Sequence, residues 1–173
     1  MGKIVVLGLG ESLKLWDYTM NDFELSIGVN DIWSRVKTDV VVCIDPRHRF
    51  VGERLRVIET CRPRAFYSQL VTYDVLPNFH KIELAPNYPE SSINLSGNKV
   101  EKSYCSPFVA CQIAYKFYNA TEIHLFGVDM VNHPYLNSQL CDKIKRHFTI
   151  LARALRENNC KFIVYGDGIL RGI

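Results

Sequence analysis

The stretch Lys3-Ile4-Val5-Val6-Leu7-Gly8-Leu9-Gly10-Glu11-Ser12-Leu13 decides the fold class. Residues 3–8 form an apolar, β-branched run of strand length that breaks on glycine and a short polar residue. The same punctuation recurs along the chain. Residues 23–28 read as a second strand, with Asn30-Asp31 behind it. Residues 39–44 (Asp-Val-Val-Val-Cys-Ile) read as a third, apolar on both faces like a central parallel strand, and Asp45-Pro46 follows. Residues 122–126 read as a later strand ending on Gly127-Val128-Asp129, and residues 161–165 as the last. Helix-length segments stand between them: 49–61, then Ser106 to about Tyr118, then 139–158 with Ile144, Phe148, Leu151 and Leu155 on one face. Residues 65–67 and 81–84 are weaker strand candidates. Strands alternating with helices predict βαβ units. The expectation is a single-domain, Rossmann-like α/β fold over residues 1–173, with a mostly parallel sheet and helices on both faces.

Composition agrees with one globular domain. The 173 residues are 47% hydrophobic and 23% charged, enough to build a core and too apolar for a disordered chain. No window reaches the length of a membrane span, and the first apolar run is too short for a signal peptide. Six cysteines are scattered without Cys-x-x-Cys or zinc-type spacing. They read as reduced thiols in a cytoplasmic protein. The net charge of +3 suits an anionic ligand and gives no indication of nucleic acid as a partner. The polar segment 85–104, with Pro86, Pro89 and Gly97, is long for a compact domain and is expected to be a lid or mobile loop.

Placement of the polar residues points to a site. In an open parallel sheet the residues after each strand share the carboxyl edge, where ligands bind. Gly8, Gly10, Ser12, Asn30, Asp45, Gly127 and Asp129 all fall there, and Ser106 joins them as the expected N-cap of a helix with Pro107 at N1. The Gly-x-Gly loop lacks the third glycine of a dinucleotide fingerprint and the Gly-Lys of a P-loop. It reads either as a tight strand-to-helix turn or as a loop whose amides meet a phosphate.

In order and spacing these motifs (Gly8-Leu9-Gly10-Glu11-Ser12-Leu13, Val29-Asn30, Ile44-Asp45-Pro46, Ser106 before a helix, and Ile123-His124-Leu125-Phe126-Gly127-Val128-Asp129) resemble one superfamily. It comprises the bacterial lipo-oligosaccharide sialyltransferases, the motility-associated glycosyltransferases and the archaeal-type 6-hydroxymethylpterin pyrophosphokinases. Its usual loop is Gly-x-Gly-Pro-Ser-Leu, with Asn between the glycines in the sialyltransferases. Leu9 and Glu11 depart from that pattern; Glu11 sets a negative charge beside the expected phosphates unless it points away or holds a metal.

The resemblance implies that Ser12, Asn30, Asp45, Ser106 and Asp129 line a nucleotide pocket. It also implies a general-base histidine ahead of the last strand, a role that His147 or the competing His133 would fill. As a plain residue pattern, His147 is equally a polar position on a long helix. Three functions follow. The first is a glycosyltransferase using a nucleotide sugar and an unidentified acceptor. The second is a pyrophosphokinase acting on a hydroxymethylpterin-like alcohol, with Asp45 and Asp129 sharing Mg²⁺ through the nucleotide phosphates. The third is a non-catalytic nucleotide-binding module.

Overall fold

The computed structural model describes residues 2–17, 22–131 and 136–173. Seven strands form one sheet in the order β5-β4-β3-β2-β1-β6-β7: β1 Lys3–Leu7, β2 Leu25–Val29, β3 Val40–Val42, β4 Ala65–Ser68, β5 Phe79–Lys81, β6 Glu122–Phe126 and β7 Lys161–Val164. Every pairing is parallel. The chain steps outward from β1 to β5, crosses back, and lays β6 against the free side of β1. Leu7 then stands beside Phe126 and Gly28.

The three α-helices follow from local sequence. In α1 (Glu53–Thr60) the start lies four residues beyond the expected one. Arg47–Arg49 forms a 3₁₀ turn instead, and Gly52 takes φ +56°, where glycine avoids a side-chain clash. The second helix, α2 (Ser106–Tyr118), ends where Asn119 turns left-handed and the Ala120 N–H closes on Ala114 O at 3.1 Å. Asn137 caps α3 (Ser138–Glu157) by accepting the Leu140 N–H at 2.8 Å. The predicted stripe Ile144, Phe148, Leu151 and Leu155 is fully buried, as periodicity requires.

Helices α2 and α3 cover one face of the sheet; α1 and short 3₁₀ turns cover the other. Val40, Val41 and Val42 are buried on both faces, as expected of a central strand. The edge strand differs from expectation. It lies at 79–81 because Asn78 turns at φ +60° and sends Phe79 alongside Phe66. Ile82 only extends the ladder with one bond to Ser68 O.

Segment 85–104 is a packed loop of the Ω type, closed at its base by a Leu84–Val100 bridge. Ile93, Leu95 and Val100 enter the core, each burial contributing roughly 1.5–3 kcal/mol. Two polar clamps fix it. Fully buried Gln112 accepts the Glu101 N–H at 2.8 Å and donates to Glu101 O at 2.9 Å, while Lys116 Nζ donates to the carbonyls of Asn94, Gly97 and Lys99. All six cysteines are free, and no helix among the described residues is long and apolar enough to cross a membrane.

Candidate functional site

The order of strand addition reverses between β1 and β6, and the crevice over such a switch point is where open α/β sheets bind ligands. Here the loops after β1 and β6 interlock. Gly8 and Gly127 touch backbone to backbone: a Cβ on Gly8 would lie 2.3 Å from Gly127 O, and one on Gly127 (φ +71°) 2.2 Å from Gly8 O. The Gly10 N–H donates to Gly127 O at 2.7 Å. Ser12 donates to Asp129 Oδ2 through its N–H (2.7 Å) and its hydroxyl (3.0 Å), and its Oγ accepts the Gly127 N–H at 2.8 Å. Ser12 and Asp129 are both buried. A turn after β7 closes over them: a Cβ on Gly168 would meet the Asp129 backbone at 2.3 Å, and the Ile169 N–H donates to Asp129 O.

Of the two readings of the Gly-x-Gly loop, this arrangement favours the tight turn. The loop enters a five-residue 3₁₀ turn, Glu11–Leu15, rather than an α-helix. The amides of Gly8, Gly10, Ser12 and Leu13 already have partners within the protein. The glycines are required by the close approach of the two loops. Glu11 points into solvent beside Lys14, away from the crevice.

The rim over β2 and β3 is arranged differently. Asn30 turns left-handed (φ +53°), and its Oδ1 accepts the Ser106 hydroxyl at 3.1 Å. Ser106 is therefore the first residue of α2, with Cys105 in the N-cap position, and its side chain reaches the rim instead of capping. Asp31 is buried and forked by Arg54 at 2.7 and 3.0 Å, a bidentate pair that holds α1 to the end of β2. Asp45 is partly exposed and meets Arg49 at 3.1 Å.

Asp45 and Asp129 follow strands that lie three places apart in the sheet. Asp129 also has Oδ2 engaged by Ser12, and among the described residues no group of three His, Cys, Asp or Glu is placed to hold a metal.

His147 lies on the inner face of α3, buried, correcting its reading as a polar-face residue. Its Nδ1 is 2.8 Å from the hydroxyl of buried Ser103, three residues ahead of Ser106. Tyr88 and Tyr104 stack on each other at 4.4 Å and lie nearly parallel to the imidazole, each at 5.8 Å. Burial, and then the positive charges of Arg146 and Lys143, hold the imidazole below the usual histidine range. At neutral pH it is uncharged and able to accept a proton. His133 lies outside the described residues. Ser103 and the Gly166–Gly168 turn were missed at the level of sequence; Ser103 carries no local motif, and the glycines behind the last strand are the one signal that could have found the turn.

No protein-family model and no curated protein sequence matches the chain. Solved structures of one enzyme do. A point mutant of the α-2,3/8-sialyltransferase CstII aligns with 94% of this chain and 80% of its own at 16% identity, with a TM-score of 0.56. The complex of that sialyltransferase with a trisaccharide acceptor and CMP covers the same shares at 16% identity and a TM-score of 0.54. At such low identity the likeness establishes a shared fold.

Proposed function

We propose that this protein is a glycosyltransferase that uses a nucleotide-activated sugar, with the nucleotide held at the carboxyl edge and His147 as general base. One observation carries the reading: the neutral imidazole of His147 is held by Ser103, three residues from the Ser106–Asn30 contact at the end of β2. A proton acceptor and a polar nucleotide rim are thus coupled through one short segment. The fold shared with a sialyltransferase crystallised with CMP supports the same reading.

In this reading Asn30, Ser106 and Asp45 face the nucleotide, while Gly8, Gly10, Ser12, Gly127 and Asp129 form the rigid floor beneath it. An acceptor hydroxyl attacks the anomeric carbon, and its proton passes to His147 Nε2. The anomeric C–O bond breaks with its electron pair leaving on the nucleotide phosphate. The locked glycine floor favours donor contacts from the β2–β3 rim over contacts from the glycine-loop amides. Pyrophosphoryl transfer on a shared Asp45–Asp129 metal finds no support in this geometry.

The test is a calorimetric titration with CMP, UDP, GDP and ATP, with and without Mg²⁺, followed by product detection from the matching nucleotide sugar. His147→Ala should leave nucleotide affinity unchanged and lower turnover roughly 10²–10⁴-fold, the usual loss for a general base. Turnover that survives His147→Ala would remove the histidine from the mechanism. Binding of no nucleotide at all would remove the transferase reading.

A further inference from the structure

Two buried histidines present different partners to their ring nitrogens. His124, on β6, holds Nε2 2.6 Å from Glu122 Oε1 and Nδ1 2.8 Å from the Tyr165 hydroxyl. A carboxylate only accepts, so the neutral ring carries its proton on Nε2 and accepts the Tyr165 O–H at Nδ1. His147 has no such carboxylate among the described residues. Its Nδ1 faces the hydroxyl of buried Ser103 at 2.8 Å, and its Nε2 makes no hydrogen bond to a described residue. Nε2 is not a buried unpartnered atom, so it is the nitrogen open to solvent.

We infer that Ser103 is a positioning residue that holds His147 in the Nδ1–H tautomer, leaving the Nε2 lone pair facing outward. A hydroxyl donates or accepts, so the Ser103 contact by itself permits either tautomer. The surrounding charge selects between them. Lys143 and Arg146 are exposed on the same helix and are the charged groups that act on the ring. Lys143 lies over Tyr104, and Arg146 reaches Glu90 O at 2.9 Å. A lone pair on the outward nitrogen is attracted by these cations, whereas an N–H there would be repelled. The proton is therefore placed on the inner nitrogen, where Ser103 Oγ accepts it. The Ser103 O–H is then free to turn to the sulfur of Cys105, with which it interacts. Tyr88 and Tyr104 lie nearly parallel to the imidazole, at 12° and 13°, and confine the ring to this plane. Resting on the glycosyltransferase reading, this is the form that a general base acting through Nε2 requires; the tautomer itself does not depend on that reading.

Long-range ¹H–¹⁵N NMR on the ¹⁵N-labelled full chain at neutral pH reads the tautomer of each histidine, with His147→Gln and His124→Gln assigning the two signals. Wild type should show His124 as Nε2–H and His147 mainly as Nδ1–H. Ser103→Ala should move His147 toward Nε2–H and leave His124 unchanged, an internal control that the sheet is intact. Ser103→Thr keeps a hydroxyl and should restore the Nδ1–H form. In a turnover assay Ser103→Ala should lower kcat roughly 3–10-fold, the worth of one neutral hydrogen bond, with the donor KM unchanged. A wild-type His147 in the Nε2–H form overturns the inference without any variant, as does an unchanged tautomer in folded Ser103→Ala. The two claims separate cleanly. An Nδ1–H signal with turnover that survives His147→Ala sustains the role of Ser103 and removes the base. An Nε2–H signal with turnover lost in His147→Ala overturns the role of Ser103 alone.

Discussion

Asp129→Ala distinguishes a structural carboxylate from a metal ligand. In the structure Asp129 Oδ2 accepts two hydrogen bonds from Ser12, and both residues are buried. Truncation leaves the Ser12 N–H without a partner in a site closed by Gly166 and Gly168. An orphaned buried donor costs about 1–3 kcal/mol, and loss of the hydroxyl's bond adds about 1 kcal/mol. The sum, roughly 2–4 kcal/mol, corresponds to a fall in melting temperature of about 5–15 °C for a domain of this size. Asp129→Asn keeps one acceptor oxygen and should lose less than half as much. Thermal and urea unfolding followed by circular dichroism read both variants directly. If Asp129→Ala unfolded within a degree of wild type while losing Mg²⁺-dependent nucleotide turnover, the carboxylate would be a metal ligand and the interlocked floor a misreading.

Gly10→Ala should destabilise the protein before it affects any ligand, because its Cβ would lie 2.5 Å from Asp129 Oδ2 and 2.8 Å from Gly127 O. A variant as stable as wild type with lost nucleotide affinity would return the loop to phosphate binding. Acidification should also lower stability. His147 and His124 are both held neutral below the ordinary histidine value of 6.5, chiefly by burial. The unfolded chain therefore binds more protons than the folded one as the pH falls from 6.5 toward the depressed folded values, and stability drops across that window. Melting temperatures between pH 7.5 and pH 5 should slope downward, and less steeply in His147→Gln; a flat profile in wild type would contradict the buried neutral state.

Much of the fold was legible because its signals are local. The Val40–Val42 run and the stripe on α3 each satisfy a single period, and glycine or a short polar residue ends each strand. Where the reading slipped, the deciding partner was remote. The edge strand β5 was misplaced because its register is set by β4 through the Asn78 turn, and a run containing Ile82 and Leu84 looks like a strand by itself. The packing of segment 85–104 through Ile93, Leu95 and Val100 was not legible either, because three apolar residues spread so widely in a polar stretch show no period.

The candidate site divides in the same way. Sequence by itself determined which residues reach the carboxyl edge, because in a parallel sheet every residue that follows a strand must emerge there. Glycine at positions 8, 10 and 127 also tells the reader that something approaches the backbone closely. What approaches is a tertiary fact. Ser12 and Asp129 are 117 residues apart and meet only because β6 lies beside β1. That adjacency fills the space left by the missing side chains with the protein's own backbone. Likewise, a histidine at mid-helix has no assigned face until the sheet, Ser103 and the Tyr88–Tyr104 stack close around it. Backbone periodicity is encoded within a few residues, whereas the occupant of a close contact is set by whichever distant segment the completed sheet brings against it.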